Sequence, residues 1–363
     1  MRYSKVYIES FGYHLPQQVV STHELEERLA PLYKELRFPP GQLEALTGIS
    51  ERRFWEPGYS VGQGALEAAK KALSQSKVKA EDIEVVIYAA VCRENFEPAT
   101  ACKVAAGLGV SPAASVFDIS NACLGVLNGI VDIANRVELG QIRAGIVVSC
   151  ETSREIIDLM IEQMLAHRNM EVFKHSLATL TGGSGAVAVL VTDGSFGGGM
   201  RRRLVGGTTQ AEPQYHGLCR WGYAPAAALD FASQAPAYAA GQMLNLARQF
   251  MSTDSVSVLR HGVDLGLRTW RSFLGKLGWA TDHIDKVICH QVGTAHRDTV
   301  LKTLGIDNAK DYSTYPYLGN MGTVSLPLTA ALAEERGFLQ PGDRVGFLGI
   351  GSGLNCLMLG IDW

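Results

Sequence analysis

None of the seven cysteines is spaced as a CxxC pair. That removes the usual signature of a zinc site or a thioredoxin-like redox centre. Their number is odd and they are scattered, at Cys92, Cys102, Cys123, Cys150, Cys219, Cys289 and Cys356. A secreted disulfide framework is therefore not expected; an intracellular, reduced chain is. No uninterrupted apolar run reaches the roughly 18 residues of a membrane-crossing helix. The opening stretch MRYSKVYIESFGYHLP lacks the apolar segment of a secretory leader. An excess of one charge is missing too. Lys and Arg number 33 against 36 Asp and Glu, a net charge of -3, which offers no basic field to a nucleic acid. There is no block of like charges and no low-complexity tract. The expectations are a cytoplasmic protein, with no nucleic-acid partner, no integral membrane segment and no bound metal.

What is present is a large apolar complement. Of 363 residues, 47% are hydrophobic and 19% charged, enough for one large domain or two fused halves with a substantial core. Strand and helix patterns alternate, which argues an α/β fold. Residues 83–91 (IEVVIYAAV) read as a buried strand and 101–109 as a helix ending in glycine. ASVFDIS (114–120) reads as a buried strand, and 123–140 as an amphipathic helix, again closed by glycine. Residues 143–150 and 186–193 read as further buried strands. A faint echo follows: IDKVICHQV (284–292) and a helix through 298–305 resemble 83–109, and 343–353 resembles 143–150. Two similar halves, 1–195 and 196–363, are expected, with the boundary near GSFGGGMRRR (194–203).

Five places carry candidate chemistry. Cys123, in DISNACLGVLNGI, is expected at the first turn of a helix, where exposed amides and the helix dipole stabilise a thiolate. Such a sulfur can accept an acyl group; taken alone it reads more readily as a small core residue. His290, in VICHQVGTAH, ends a strand, where α/β sites collect, and can donate to a carbonyl that gains negative charge. It also reads as a satisfied core histidine. Asn320, in YLGNMGTVSLP, sits between glycines. Its amide can donate to an enolate oxygen, or it is simple turn chemistry. GIGSGLNCLML (349–359) reads as strand–turn–strand, able to aim an amide at an oxyanion. It lacks the spacing and the following helix of a dinucleotide site. Glu97, in CRENFEPATA, follows a strand. In an apolar pocket it would be a general base; otherwise it is a solvated loop charge.

Together, NACLG, HQV, GNMGTVSLP and the C-terminal GIGSG resemble the thiolase superfamily, in particular its ketoacyl synthase III branch, in order and over nearly the whole chain. The fold this implies is two pseudo-symmetric βαβαβαββ halves in a five-layer αβαβα arrangement. Within the branch, TGISERRFW (47–55), EPATA (97–101), FDISNACLG (117–125), GLCR (217–220), GDRVGFLGIGSGLNC (342–356) and the final tryptophan are most similar to the enzymes that condense two fatty acyl-CoAs head to head. The resemblance implies an acyltransferase. Cys123 would carry the first acyl group, the backbone amides of Cys123 and Ser352 would form the oxyanion hole, and His290 and Asn320 would hold the second thioester. It also implies a homodimer in which Glu97 crosses into the partner's site and removes the α-proton. Gly351, Gly353, Cys219 and Arg220 would border the substrate. The substrates would be acyl-CoA or acyl-carrier-protein thioesters, with no cofactor beyond the coenzyme A they bring.

Two departures stand out. Gln42 and Leu46 occupy the positions where the ketoacyl synthase III pattern places the tryptophan and arginine that sandwich adenine. Residues 221–244 read as an insertion, lining an acyl tunnel or packing on the surface. Three alternatives stay open on these residues: a condensing enzyme using a malonyl or β-ketoacyl carrier-protein donor, including one that forms pyrones or resorcinols; a non-catalytic partner subunit; and an acyl hydrolase.

Overall fold

A computed structural model describes residues 1–197, 202–225 and 247–363. The described strands are β1 (Tyr7–His14), β2 (Gln18–Ser21), β3 (Glu51–Phe54), β4 (Val85–Ala89), β5 (Ser115–Ile119), β6 (Ala144–Glu151), β7 (Gly185–Thr192), β8 (Arg202–Ala211), β9 (Cys219–Pro225), β10 (Ala247–Thr253), β11 (Lys286–Cys289), β12 (Arg344–Gly351) and β13 (Asn355–Asp362). Nine of them form one sheet in the order β11-β12-β13-β8-β1-β7-β6-β4-β5.

That order contains a repeat. In β4-β6-β7-β1 the first pair is parallel and the next two antiparallel, and β11-β12-β13-β8 repeats both order and direction. The two sets meet where Tyr7 and Ile8 of β1 pair with Arg203 and Arg202 of β8. Beyond β4 the first set carries the edge strand β5. Its counterpart beyond β11 is a single parallel bridge, Val287 to Asp311. The stretch 194–203 follows β7 and runs into the first residues of β8, and 198–201 lie outside the described residues.

Strand side chains alternate between faces, so a strand covered on both sides must be apolar throughout. Val85, Ile87 and Ala89 join a central cluster, while Val86 and Tyr88 point the other way into an outer one. The central cluster takes Val126, Leu127, Ile130 and Ile133 from the helix Gly125–Glu138, and Leu326, Leu328 and Leu332 from the helix Ser325–Glu335. Strand residues of both sets close it. The helices Val61–Ser74 and Thr100–Leu108 cover one outer face. Ser255–Leu277 and Thr294–Leu304 cover the other. The layers therefore run helix, sheet, helix, sheet, helix, as the resemblance implies.

Three local expectations need correction. β5 is not a buried strand: as a sheet edge with one neighbour, it leaves Ser115 exposed and Val116, Phe117 and Ile119 half-buried. The helix expected from residue 123 starts at Gly125, after a 3₁₀ turn over Ala122–Leu124. β11 stops at Cys289 and its following helix begins early, at Thr294, because the Gln291 side chain binds Cys289 O, Thr314 N and Tyr315 N and ends the strand.

The central helices lie close against the strands. A Cβ on Gly129 would sit 2.5 Å from Val147 Cγ2 and 3.1 Å from its Cβ, and a β-branched neighbour has little freedom to retreat. Gly129→Val is expected to lower stability by about 1–3 kcal/mol through overpacking, read as a fall in the thermal unfolding midpoint.

Candidate active site

Cys123 sits where β5 turns into the central helix Gly125–Glu138. The turn is sharp. Asn121 has φ -149° and ψ 55°, and Ala122 is left-handed at φ 43°, a conformation that costs an L-residue about 1–2 kcal/mol. Against this turn lies the β12–β13 connection. A Cβ on Gly351 would fall 3.1 Å from Leu124 Cγ and 3.6 Å from Cys123 N and Cβ, so glycine permits the approach. Asn355 ties the two turns together, its Nδ2 donating to Asn121 Oδ1 (3.2 Å) and to Ser352 O (3.2 Å). Gly353, at φ 90°, supplies the reversal.

The thiol itself is pushed up to about 12. Burial is the main cause; the thiol of Cys219 and the carboxylate of Glu151 add to it. The amides of Ser352 and of Cys123 point at the sulfur and pull the other way. Desolvation opposes the stabilisation of a thiolate expected at the helix start and outweighs the two amides, which favours the protonated thiol at rest. The same two amides face whatever negative charge forms beside the sulfur.

His290 follows β11 and continues its ladder, its amide donating to Leu348 O at 3.0 Å. The residue is 5% exposed, and Nδ1 has no hydrogen-bond partner among the described residues. Burial, with a further contribution from His296, lowers it to about 3, so the imidazole is neutral near pH 7. Asn320 combines both readings of its sequence. Its Oδ1 accepts from Gly322 N (3.0 Å), a turn bond, and its backbone is held between Thr181 O and Gly183 N. With the carbonyl end occupied, the Nδ2 end is presented as a donor. A buried hydrogen bond from Val126 N to Thr323 Oγ1 (2.7 Å) joins the start of the Cys123 helix to the segment after Asn320.

The other sequence candidates divide. Gly351 and Ser352 stand beside Cys123, and Gly353 lies in the same turn, against Asn355. Cys219 is half-buried on β9, near enough to raise the Cys123 thiol, and its sulfur accepts from Thr253 Oγ1 at 3.3 Å. Arg220 is exposed, with its guanidinium 5.6 Å from the Phe250 ring. Glu97 is exposed too, not in an apolar pocket. It borders an open cleft of about 1100 Å³ with Tyr59, Phe96, Trp221 and Tyr223, and none of Cys123, His290 or Asn320 lines that cleft. The 221–244 insertion begins as β9, and its 226–244 portion lies outside the described residues. Three polar residues join the site without having been singled out: Glu151, Asn355 and His296. A charge closing an apolar strand (VVSCE) and a second histidine six residues after the first were the available signals. Among the described residues, no cluster of His, Cys, Asp and Glu is arranged to hold a metal.

With the Cys123 thiol at about 12, the thiolate fraction at neutral pH falls well below that of a free cysteine. Alkylation of Cys123 by iodoacetamide, read by intact mass, is expected to be slow at pH 7 and to keep accelerating beyond pH 10. A plateau by pH 9 would show an ordinary thiol.

Residues 64–182 match the family described as thiolase, N-terminal domain, and residues 274–363 match 3-oxoacyl-[acyl-carrier-protein] synthase III C terminal. The chain is 53% identical to an acyl-CoA:acyl-CoA alkyltransferase of Shewanella oneidensis, with all of both chains aligned. It superposes on a crystal structure of cerulenin-bound Xanthomonas campestris OleA with a TM-score of 0.90 at 32% identity, covering 100% of this chain and 98% of that one. A variant of that enzyme holding lauric acid and lauroyl-CoA matches with a TM-score of 0.89 at 32% identity, covering 99% and 100%. The chain belongs to the acyl-CoA:acyl-CoA alkyltransferase (OleA) family, acyltransferases of the thiolase fold related to ketoacyl synthase III.

Proposed function

We propose that the protein joins two fatty acyl-CoAs head to head, by a Claisen condensation without decarboxylation, to a β-ketoacyl product. The observation that carries this reading is a buried thiol facing two converging amides, those of Ser352 and Cys123, in a chain whose relatives are acyl-CoA:acyl-CoA alkyltransferases.

Cys123 attacks the first thioester carbonyl. The oxyanion accepts from the two amides, the carbon–sulfur bond to CoA breaks, and the thiol proton ends on the departing CoA. One such amide is typically worth about 2.7–4 kcal/mol in the transition state. The second thioester places its carbonyl oxygen against His290 and the Asn320 Nδ2. A neutral imidazole suits this role, since it carries an N–H without carrying a charge that would protonate the enolate. Glu97 of the partner subunit takes the α-proton. The enolate carbon then attacks the Cys123 thioester, a carbon–carbon bond forms, and the sulfur leaves and regains a proton. Holding the two carbons in contact supplies much of the acceleration. Every step is assigned to a side chain or amide, and no cofactor is invoked beyond the coenzyme A of the substrates. Gly351, Gly353 and Cys219 border the acyl group, and Arg220 lies at the outer end of that surface.

A homodimer is part of the proposal. β5 offers an open ladder edge with half-exposed Val116, Phe117 and Ile119, a surface that a second strand can pair with. Asp118 of β5 accepts from Thr100 N and Ala101 N, both at 2.9 Å, which fixes the base of the Glu97 loop to that edge. The reaction is placed in the cytoplasm and in lipid metabolism, where fatty acyl-CoAs are made and used.

Incubation with one acyl-CoA is expected to give the β-ketoacid or its derived ketone. A product that appears only after malonyl or β-ketoacyl donor is added would overturn the reading. Cys123→Ser is expected to lose both the acyl adduct and the product. Glu97→Gln is expected to keep the Cys123 acyl adduct, seen as an intact-mass gain, and to lose about 10²–10⁴-fold in condensation, the usual contribution of a general base.

A further inference from the structure

Glu151 closes β6 and is 4% exposed. Burial raises its carboxyl, and the groups that counter this are hydrogen-bond donors rather than a cation. Oε1 accepts from Val91 N at 2.9 Å and Oε2 from Cys92 N at 3.0 Å. Its opposite face abuts the Asn320 turn, since a Cβ on Gly322 would lie 3.4 Å from Oε1 and 3.5 Å from Cδ and Cγ. Gly322 stands at φ 55°, so that contact is with backbone. One buried side chain therefore holds the start of the Glu97 loop against the turn that presents Asn320.

The loop has a second anchor farther out. Glu94 accepts from Gly62 N and Ser60 Oγ, both at 2.9 Å, and from Lys103 Nζ at 2.7 Å, while its amide donates to Thr100 Oγ1. Past these anchors Glu97 makes no hydrogen bond with the described residues and is exposed. Where Glu97 projects is therefore set by the path of residues 91–94, and Glu151 fixes the first step of that path. A carboxylate suits this task because it offers one acceptor to each of two successive amides. A glutamine would turn its NH₂ toward one of those N–H groups.

We propose that Glu151 is a positioning residue for the condensation half-reaction, fixing the start of the loop that carries Glu97 toward the partner's site. The proposal rests on the function proposed above, in which Glu97 removes the α-proton.

The test uses the full chain with Glu151→Gln and Glu151→Asp, the second keeping the charge but withdrawing it by one methylene. Acylation of Cys123 by lauroyl-CoA is followed by intact mass, condensation by product formation, and folding by thermal melting. The ratio of condensation to Cys123 acylation is expected to fall about 10²-fold, the effect of misplacing a catalytic group by about 1 Å, whatever change the altered carboxylate makes to acylation itself. Combining Glu97→Gln with Glu151→Gln is expected to lower condensation no further than Glu97→Gln alone, since a residue acting through another is not additive with it. Wild-type condensation in either folded variant, a parallel fall of both half-reactions, or additive losses in the double variant would overturn the role. If Glu151→Gln does not fold, Glu151→Asp decides by the same comparison. Absence of condensation in the wild-type protein given lauroyl-CoA alone would count instead against the proposed function.

Discussion

The arrangement of the site depends on one buried hydrogen bond, from the Val126 amide to the Thr323 hydroxyl. The first amides of a helix have no partner within it. Here one of them is satisfied by the segment that opens the opposite central helix. The two helix starts are thereby fixed side by side between the sheets. Cys123 precedes one of them and Asn320 the other. The ends of β6, β11 and β12 converge on the same place, bringing Glu151, His290 and the Ser352 turn with them. Loss of this bond would separate the acyl carrier from the groups that hold its co-substrate.

Burial governs the chemistry as firmly as it governs the fold. It raises Cys123 to about 12 and lowers His290 to about 3. Both groups are neutral at rest, so the site spends nothing on a standing ion pair in a low-dielectric interior. Charge arises only during reaction, on carbonyl oxygens that fixed N–H groups already face. A site built this way stabilises the transition state more than the ground state.

The alternation of strands and helices left a local mark in the sequence; the layers and the roles of Cys123, His290 and Asn320 came from the motifs' resemblance to a family, since each residue alone reads as an ordinary core or turn residue. Strands covered on both faces are apolar throughout, and glycines mark the close approaches. What escaped was set by neighbours distant in sequence. β5 looked buried because Val116, Phe117 and Ile119 are apolar, and nothing local records that β5 stands at an edge. The dipole argument for Cys123 ignored desolvation, which depends on residues from β12 and β9. Glu151 and Asn355 were passed over because a single polar residue beside an apolar strand says nothing of the turns it joins. Arg220 and Glu97 were read from their motifs; the structure leaves both on the surface of a single chain.

The unequal edges of the sheet also bear on stoichiometry. On one side the ladder ends at β11, where Asp311 covers the strand by a bridge to Val287 and its carboxylate receives the Cys289 amide. On the other side, among the described residues, no strand lies beyond β5. A chain with two open edges would stack into a filament, whereas a chain with one open edge pairs with its own copy about a two-fold axis and is then complete. The small difference between a full strand after β4 and a single bridge after β11 therefore leaves one open edge among the described residues, which suits the pairing proposed above and offers no second edge for growth.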